Sequence, residues 1–384
     1  MYRVIKLMSF AIVVAFTWFL QIGAASAQTI PPSLQQGGPD PAIRERKNNW
    51  SLGIAGGLID GTYMRFADEL AKVLDDGDNL RILPMVSYGA ASNLEDLIYL
   101  RGVDLAVTQS DVFEYFRTER KTPNLQNRVH YVLRLPIAEL HVLAKTDVRS
   151  IEDLRGKKVN FGPAGSGSSL TGTIVFQRLG VKVEQVLIDQ QSALQKLQSD
   201  EVAALVRVVG KPVEFFTRIP PNSGLHLVPI PFTKTFADYY TLGELEAKDY
   251  PSLIPEGQKV DTIAVPTVLA VFNWPKNSDR YRRIERFVER LFANWDKFQV
   301  APRHPKWRDV NLAATVPGWT RHVTAEQMLT RLRGPAVVSR EELSRDFEAY
   351  LRQAGKNAPQ TQADRDALFR QFLQWREQQQ GRRP

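Results

Sequence analysis

The feature of this sequence that most constrains its fold is an alternation of short β-branched runs with amphipathic helical patterns, which begins after Trp50. Strands are predicted over residues 51–55, 80–85 and 104–107, and helices over residues 61–74, 92–101 and 111–117. In the first helix an apolar stripe recurs at helical spacing, at Phe66, Leu70, Val73 and Leu74. This alternation predicts right-handed β-α-β units on mostly parallel sheets, and therefore an α/β fold.

A second α/β block follows the first. Its predicted strands are 158–162, 186–188 and 203–209, and its predicted helices are 168–179 and 193–197. Extended segments at 129–135 and 140–144 lead into this block, and a long extended segment at 262–273 can carry the chain back to a helix at 279–298. We therefore expect two lobes, with residues 48–141 and 262–320 in lobe 1 and residues 142–261 in lobe 2.

The N-terminal segment predicts export. Arg3 and Lys6 precede an apolar run at residues 7–20, and Ala25-Ser26-Ala27 follows it. This order is typical of a secretory signal peptide over residues 1–27. A membrane anchor is the alternative, but the run is shorter than the roughly 20 residues that a span needs. Residues 28–47 are rich in Pro, Gly and Gln, which indicates a flexible lead-in.

Composition excludes several kinds of site. The 384 residues include no cysteine, which excludes disulfides, thiolate metal sites, a cysteine nucleophile and a lipid-anchored start. Five histidines without a zinc-type pair predict no metal site, and we expect no cofactor. In an exported protein the formal charge of +8 favours anionic small molecules over nucleic acid. We place the mature protein in a periplasm.

Two turns after predicted strands are candidates for ligand contact. Gly56-Gly57 and Gly61 begin and end the first turn, and glycines at a helix start let backbone N–H groups approach an anion. A tight turn without a ligand is the alternative. Gln109-Ser110-Asp111 follows the strand at 104–107, at the edge where open α/β sheets bind ligands. Ser110 or Asp111 can instead simply cap the next helix.

The stretch at residues 161–169 is the most informative. Gly162 and Gly167 have the spacing of a nucleotide phosphate loop, but Ser168 stands where that loop needs lysine. A cradle rich in hydroxyl and N–H groups remains, which suits a carboxylate, and a plain capping loop is the alternative. At the end of the next strand, Arg207 or Lys211 can meet an anion or be solvated outside.

These motifs, taken in chain order, resemble those of the TAXI family, the extracytoplasmic solute receptors of TRAP transporters. The matching positions lie between about residues 50 and 302 and are Gly56-Gly57, Gly61-Thr62-Tyr63, Gln109-Ser110-Asp111-Val112, Leu154, Gly156-Lys157, Gly162-Pro163, Gly165-Ser166-Gly167 and Gly210-Lys211-Pro212. The resemblance implies a two-lobed type II periplasmic binding-protein fold. It also implies a small organic anion as ligand (a dicarboxylate, an oxo acid or an acidic amino acid) and TRAP membrane subunits as partners. The ligand site it implies consists of Gly57, Tyr63, Gln109, Ser110, Ser166, Gly167, Ser168 and Gly210.

Two regions depart from the family pattern. Leu58, Ile59 and Asp60 follow the first glycine pair, where typical members have a small residue or Thr. A carboxylate at Asp60 would repel an anion unless it points away or receives a ligand ammonium. Residues 321–384 form an additional helical extension, with a capping box at 339–342 and apolar stripes at 343–351 and 364–378. It either docks on its own domain or binds a partner.

Catalysis is not predicted, because the histidines are scattered and neither paired carboxylates nor a nucleophile elbow can be assigned. We expect a monomeric receptor that captures its ligand by hinge closure. The alternatives are a receptor of the same fold that serves another importer or a sensor kinase, and an exported esterase that uses Ser166 or Ser168.

Overall fold

The structure is a computed structural model that describes residues 41–332, 345, 347–352, 368 and 371–372. The predicted signal peptide (1–27), the first part of the lead-in (28–40) and most of the C-terminal extension, including the capping box at 339–342, lie outside the described residues. By its contacts the described chain divides into two units, of which the smaller includes residues 41–51 and 76–81.

The described part of the smaller unit contains helix α1 (Pro41–Asn49), with proline at the first helical position. Arg46 Nε lies 3.0 Å from one carboxylate oxygen of Asp78, and Lys47 Nζ lies 2.8 Å from the other. Of the residues predicted as a flexible lead-in, 41–47 are helical, and these two ion pairs join the end of the helix to Asp78.

The remaining strands and helices follow the predicted alternation. The strands are β1 (Ser51–Gly57), β2 (Arg81–Val86), β3 (Leu105–Gln109), β4 (Val129–Lys145), β5 (Lys158–Asn160), β6 (Glu184–Val186), β7 (Ala204–Val209), β8 (Leu225–Leu227), β9 (Thr241–Glu246) and β10 (Lys259–Phe272). The α-helices are α2 (Thr62–Leu74), α3 (Ala90–Tyr99), α4 (Ser110–Thr118), α5 (Leu125–Arg128), α6 (Gly167–Arg178), α7 (Gln190–Gln198), α8 (Glu214–Thr217), α9 (Asp279–Ala293) and α10 (Val323–Leu332).

The strands form one sheet in the order β2-β1-β3-β10-β4-β7-β5-β6, with β8 paired to β4 and β9 paired to β10. The β1–β3, β5–β6 and β5–β7 pairs are parallel, as strands connected through helices must be. The long strands β4 and β10 run antiparallel to each other and connect the two blocks. The α/β class predicted from the sequence is confirmed.

Helix α2 illustrates why the alternation of strands and helices could be predicted from the sequence. Its predicted apolar stripe is buried, and Gly61 in an extended conformation caps its N-terminus. The stripe consists of Phe66, Leu70, Val73 and Leu74. Burial of such a face, rather than helix propensity alone, stabilises helices of this length.

Three details differ from the prediction. The segments at 129–135 and 140–144 are one strand that continues through Pro136, whose carbonyl accepts a hydrogen bond from the Thr267 hydroxyl. The helix expected over 279–298 ends at Ala293, and a 3₁₀ turn occupies Trp295–Phe298. Strands β8 and β9 were not predicted, because one is very short and the other is largely exposed and polar.

The described part of the C-terminal extension has an apolar cluster of its own. Tyr350, Leu368 and Phe372 are buried, and Phe347 and Leu351 pack against them. The two predicted stripes therefore contact each other at these positions. Within the described residues, no helix combines the length and apolarity needed to cross a bilayer.

Candidate ligand-binding site

A cavity of about 40 Å³ lies where three loops meet the end of β7. Its walls are formed by residues 58, 61–63, 88–90, 166–168 and 207–209. Of the predicted site residues, those in the walls are Tyr63, Ser166, Gly167 and Ser168. One water needs about 10–15 Å³ of such space, so the cavity in this conformation suits a group of a few atoms such as a carboxylate.

The β1–α2 turn positions Tyr63. Strand β1 ends at Gly57 with φ +114°, a conformation that glycine adopts without strain. A Cβ on Gly57 would lie 3.4 Å from Gly89 Cα, so Gly57 supports the neighbouring loop from behind and does not itself line the cavity. Tyr63 lies in the first turn of α2 and forms part of the wall.

Sequence reasoning missed the β2–α3 loop, which forms another wall. Gly89 has φ +121°, and a Cβ there would lie 3.2 Å from Ser166 Cα. Ser92 N donates a hydrogen bond of 2.9 Å to the Gly165 carbonyl, so the loop lies directly against the segment at 162–169. The only signal in the sequence was a glycine between a strand and a helix.

The two serines of the β5–α6 loop already hold backbone groups. Ser166 Oγ accepts a hydrogen bond from Ser169 N at 3.0 Å, so the capping interpretation of this loop is correct for Ser166. Ser168 Oγ accepts from Val208 N at 2.9 Å, which fixes the loop to β7. The start of α6 adds partial positive charge to this wall.

Gln109 lies one layer behind the cavity. It is fully buried at the end of β3, and its Oε1 is 2.2 Å from the place that a Cβ on Gly167 would take. Residue 167 therefore cannot carry a side chain while Gln109 holds this position. Gln109 Nε2 and Ser110 Oγ are buried without a hydrogen-bond partner among the described residues. Ser110 does not line the cavity.

The Asp111 side chain connects α4 to α6 and to the segment before β9 by hydrogen bonds. Its Oδ2 accepts hydrogen bonds from Thr171 Oγ1 at 2.7 Å and from the Tyr240 hydroxyl at 3.0 Å. Burial raises the pKa of the Asp111 carboxyl, and these hydrogen bonds oppose that rise.

Arg207, which the sequence indicated only as one of two candidate charges after its strand, lies in the cavity wall. Its side chain is 2% exposed at the end of β7, and its Nη2 donates to Asp60 Oδ2 at 2.9 Å. Its Nη1 is buried and has no partner among the described residues. The Asp60 carboxylate thus pairs with this cation, and Asp60 is not among the residues that line the cavity.

Gly210 and Lys211, which follow β7, do not line the cavity. Lys211 Nζ donates to Asp249 Oδ2 at 2.8 Å. The Gly210 carbonyl accepts from Thr62 Oγ1 at 2.9 Å, so Gly210 holds a wall residue in place from behind.

Burial raises the pKa of the Tyr63 hydroxyl well above its ordinary value, and the negative charge of Asp111 adds to this, while the nearby Gln109 amide opposes it. The hydroxyl therefore keeps its proton. By distance and angle it makes no hydrogen bond with a described residue. Arg207 Nη1 and the Tyr63 hydroxyl thus belong to two wall residues, and both are buried without a hydrogen-bond partner among the described residues. A buried donor without a partner costs about 1–3 kcal/mol, so this arrangement favours a ligand that supplies acceptor oxygens.

The serines and the buried histidine that an esterase would use all contact backbone groups. Both serine hydroxyls in the walls accept backbone hydrogen bonds. His141, the histidine buried in β4, contacts the Glu139 carbonyl and the Tyr250 hydroxyl at 2.9 Å each, and burial lowers its pKa to about 3. In the described part of the chain, no three His, Asp or Glu side chains are grouped as metal ligands.

Solved structures with partial similarity include three ligand complexes. An amino acid ABC transporter substrate-binding protein from Streptococcus pneumoniae bound to L-arginine has TM-score 0.37 and 16% identity, over 65% of this chain and 91% of that one. An ABC transporter periplasmic binding protein from Brucella ovis with glutathione has TM-score 0.39 and 10% identity, over 71% and 79%. The CcmR regulatory domain from Synechocystis with 2-PG has TM-score 0.37 and 13% identity, over 62% and 96%. These scores are low, so nothing about the ligand of this chain follows from them.

The family is shown by sequence. Residues 54–329, more than half of the chain, match the profile of the NMT1-like family, and this span contains every wall residue of the cavity. The strand order and the two long connecting strands agree with the type II periplasmic binding-protein fold expected above. The chain belongs to the NMT1-like family.

Proposed function

We propose that this protein is a solute-binding receptor that captures a small organic anion at the cavity beside Arg207. The observation that carries the proposal is that two wall residues each have a buried donor, Arg207 Nη1 and the Tyr63 hydroxyl, without a partner among the described residues. A carboxylate presents two oxygens with several lone pairs, and its hydrogen bonds to such donors are charge-assisted. Dicarboxylates, oxo acids and acidic amino acids are the ligand classes that this chemistry fits.

Capture requires two parts that can separate. We propose residues 48–141 and 262–320 as one lobe and residues 142–261 as the other. Support comes from β4 and β10, which are long enough to run from one proposed lobe into the other and pair antiparallel with each other. Hinge motion of extended connecting strands would then open and close the cavity.

The closed state of such a receptor needs direct contacts between its lobes. The Thr171–Asp111 and Tyr240–Asp111 hydrogen bonds join residues of the two proposed lobes, and so does the backbone bond from Ser92 to Gly165. Closure on a ligand would exclude water and strengthen the hydrogen bonds to its carboxylate. This supports capture by closure rather than binding to an open surface.

We further propose that the protein works in the periplasm as the TAXI-type receptor of a TRAP transporter and delivers its ligand to membrane subunits. This finer assignment rests on the order of the motifs from Gly56 to Pro212 and on the signal-peptide pattern at residues 1–27. Membership in the NMT1-like family is compatible with it.

A thermal-shift screen of organic acids and amino acids tests the binding function. At least one anionic compound should raise the melting temperature, because a ligand that binds only the native state stabilises it. In calorimetry, Arg207→Gln should weaken binding of that compound by about 10- to 100-fold. Arg218→Gln, which removes an exposed arginine outside the cavity, should not. If no anion binds, or if the two variants behave alike, the proposal is wrong.

A further inference from the structure

Asp60 and Arg207 form an ion pair in which the cation is buried and the anion is not. The Arg207 side chain is 2% exposed and the Asp60 side chain 47% exposed. Among the described residues in the cavity walls, Arg207 is the only charged one. The two residues are 147 positions apart in the chain and come from different proposed lobes.

Arg207 does not depend on Asp60 for its position. The strand β7 fixes its backbone, and its guanidinium carbon lies 5.1 Å from the centre of the Phe215 ring. One guanidinium nitrogen, Nη2, contacts the carboxylate and the carbonyl of Asp60, at 2.9 and 3.4 Å. The other, Nη1, has no partner in the described part of the chain. One of the two terminal guanidinium nitrogens that can bind a carboxylate in a bidentate way therefore has no acceptor among the described residues.

Asp60, in contrast, is held by this contact alone. Among the described residues, no other group donates a hydrogen bond to its carboxylate. It lies in the short turn between β1 and α2, where the Gly61 amide donates to the Leu58 carbonyl, and it is not one of the wall residues. Its carboxylate can therefore rotate into water without disturbing buried structure.

We infer that Asp60 is an internal competitor of the ligand's carboxylate for Arg207, an inference that rests on the proposed function. In the structure Asp60 neutralises the one cation of the cavity. An incoming carboxylate takes both Nη1 and Nη2 in the bidentate geometry that arginine favours, and Asp60 moves toward solvent. Asp60 then acts as a specificity-determining residue, since only an anion with further contacts in the cavity displaces it.

The other role open to Asp60 is to bind a ligand ammonium group beside the carboxylate. The geometry favours competition, because Arg207 is one of the residues that line the cavity and Asp60 is not. Asp60 instead borders a separate groove with Phe215 and Arg218. An ammonium group inside the cavity would thus not meet the Asp60 carboxylate in its present position.

A matched pair of probes separates the two roles. L-Glutamate and 2-oxoglutarate share a carbon skeleton and both carboxylates, and they differ at the α-carbon in carrying an ammonium or a keto group. Affinities of the full chain and of Asp60→Asn are measured by calorimetry for both probes and for the best acid from the thermal-shift screen. Asp200→Asn is the control, since it makes the same change of charge at an exposed aspartate paired with Lys145 outside the cavity.

We expect Asp60→Asn to tighten binding of every acid that the wild-type protein binds, by about 10-fold or more, because a like charge no longer competes for the guanidinium. Asp200→Asn should leave the affinities unchanged. If Asp60→Asn binds these acids no more tightly than wild type, the inference is wrong and the proposed function stands. The same holds if the variant has a lower affinity for L-glutamate and a higher affinity for 2-oxoglutarate. If no acid binds either protein, the proposed function fails and the inference fails with it.

Discussion

Glu139 Oε1 accepts a hydrogen bond from Lys306 Nζ at 2.6 Å, and both side chains are buried. The pair links the middle of β4 to the 3₁₀ turn Pro305–Asp309. Lys306 also donates to the Ile137 carbonyl, and Glu139 Oε2 accepts from Lys211 N at 3.0 Å. One carboxylate thus connects segments from both proposed lobes at the strand that joins them.

Lys306→Met should destabilise the protein by about 3–5 kcal/mol, because it leaves the Glu139 carboxylate buried without its cation. Urea unfolding monitored by circular dichroism measures this loss. The matched control is Lys259→Met, whose lysine forms an exposed pair with Glu244 and should contribute less than about 1 kcal/mol. Equal losses in the two variants would show that the buried pair has no special role.

Gly167→Ala should destabilise the protein by about 1–3 kcal/mol through overpacking, because the new Cβ would collide with Gln109. Combining it with Gln109→Ala should remove the collision, so that the double variant is more stable than the sum of the two single effects predicts. A double-mutant cycle in urea tests this, and simple additivity would contradict the contact between Gly167 and Gln109.

Thr171→Val should weaken both stability and ligand binding. It removes one hydrogen bond to the buried Asp111 carboxylate, at a cost of about 1–3 kcal/mol. If this contact forms on closure, the affinity for the acid found in the screen should fall as well. Thr118→Val, at an exposed helix end, serves as the control for the same substitution and should change neither quantity by a comparable amount. A stable variant with unchanged affinity would exclude a role for Thr171 in closure.

Mild acid should destabilise the protein through His322. This side chain is almost fully buried, and burial lowers its pKa to about 4, with a smaller contribution from His130. In the unfolded chain the pKa is about 6.5, so between these values the unfolded state binds more protons and stability falls as the pH falls. From pH 7 to pH 5 this group should cost about 2 kcal/mol. His322→Leu should lose correspondingly less stability than wild type over that range, and equal losses would contradict a neutral buried His322.

Local patterns predicted much of the fold, because strand and helix periodicity is a property of neighbouring residues. The buried face of α2 from Phe66 to Leu74 followed from spacing alone, and the predicted start of α6 at residue 168 lies one residue from the observed start at Gly167. Strand β9 did not, since an exposed edge strand needs no apolar alternation. The two segments predicted at 129–135 and 140–144 are the single strand β4, because the missing N–H of Pro136 costs little where the register with β10 shifts.

The candidate site was harder to predict, because its contacts join residues far apart in the chain. From the sequence alone, Asp60 was a carboxylate near a predicted anion site, and Arg207 was a charge at the end of a predicted strand. Neither position by itself indicated what the side chain contacts. Their pairing depends on how β1 and β7 are placed in the sheet. Gly89 carried no motif, yet it allows the β2–α3 loop to pack on Ser166. Which glycines approach another backbone is decided by topology rather than by local sequence.

The most direct measurement is a crystal structure of the protein grown with the tightest-binding acid from the thermal-shift screen. We predict that a ligand carboxylate lies within hydrogen-bond distance of Arg207 Nη1, with the Tyr63 hydroxyl as a second donor. A ligand bound away from Arg207, with these donors still lacking an acceptor, would contradict anion capture at this cavity.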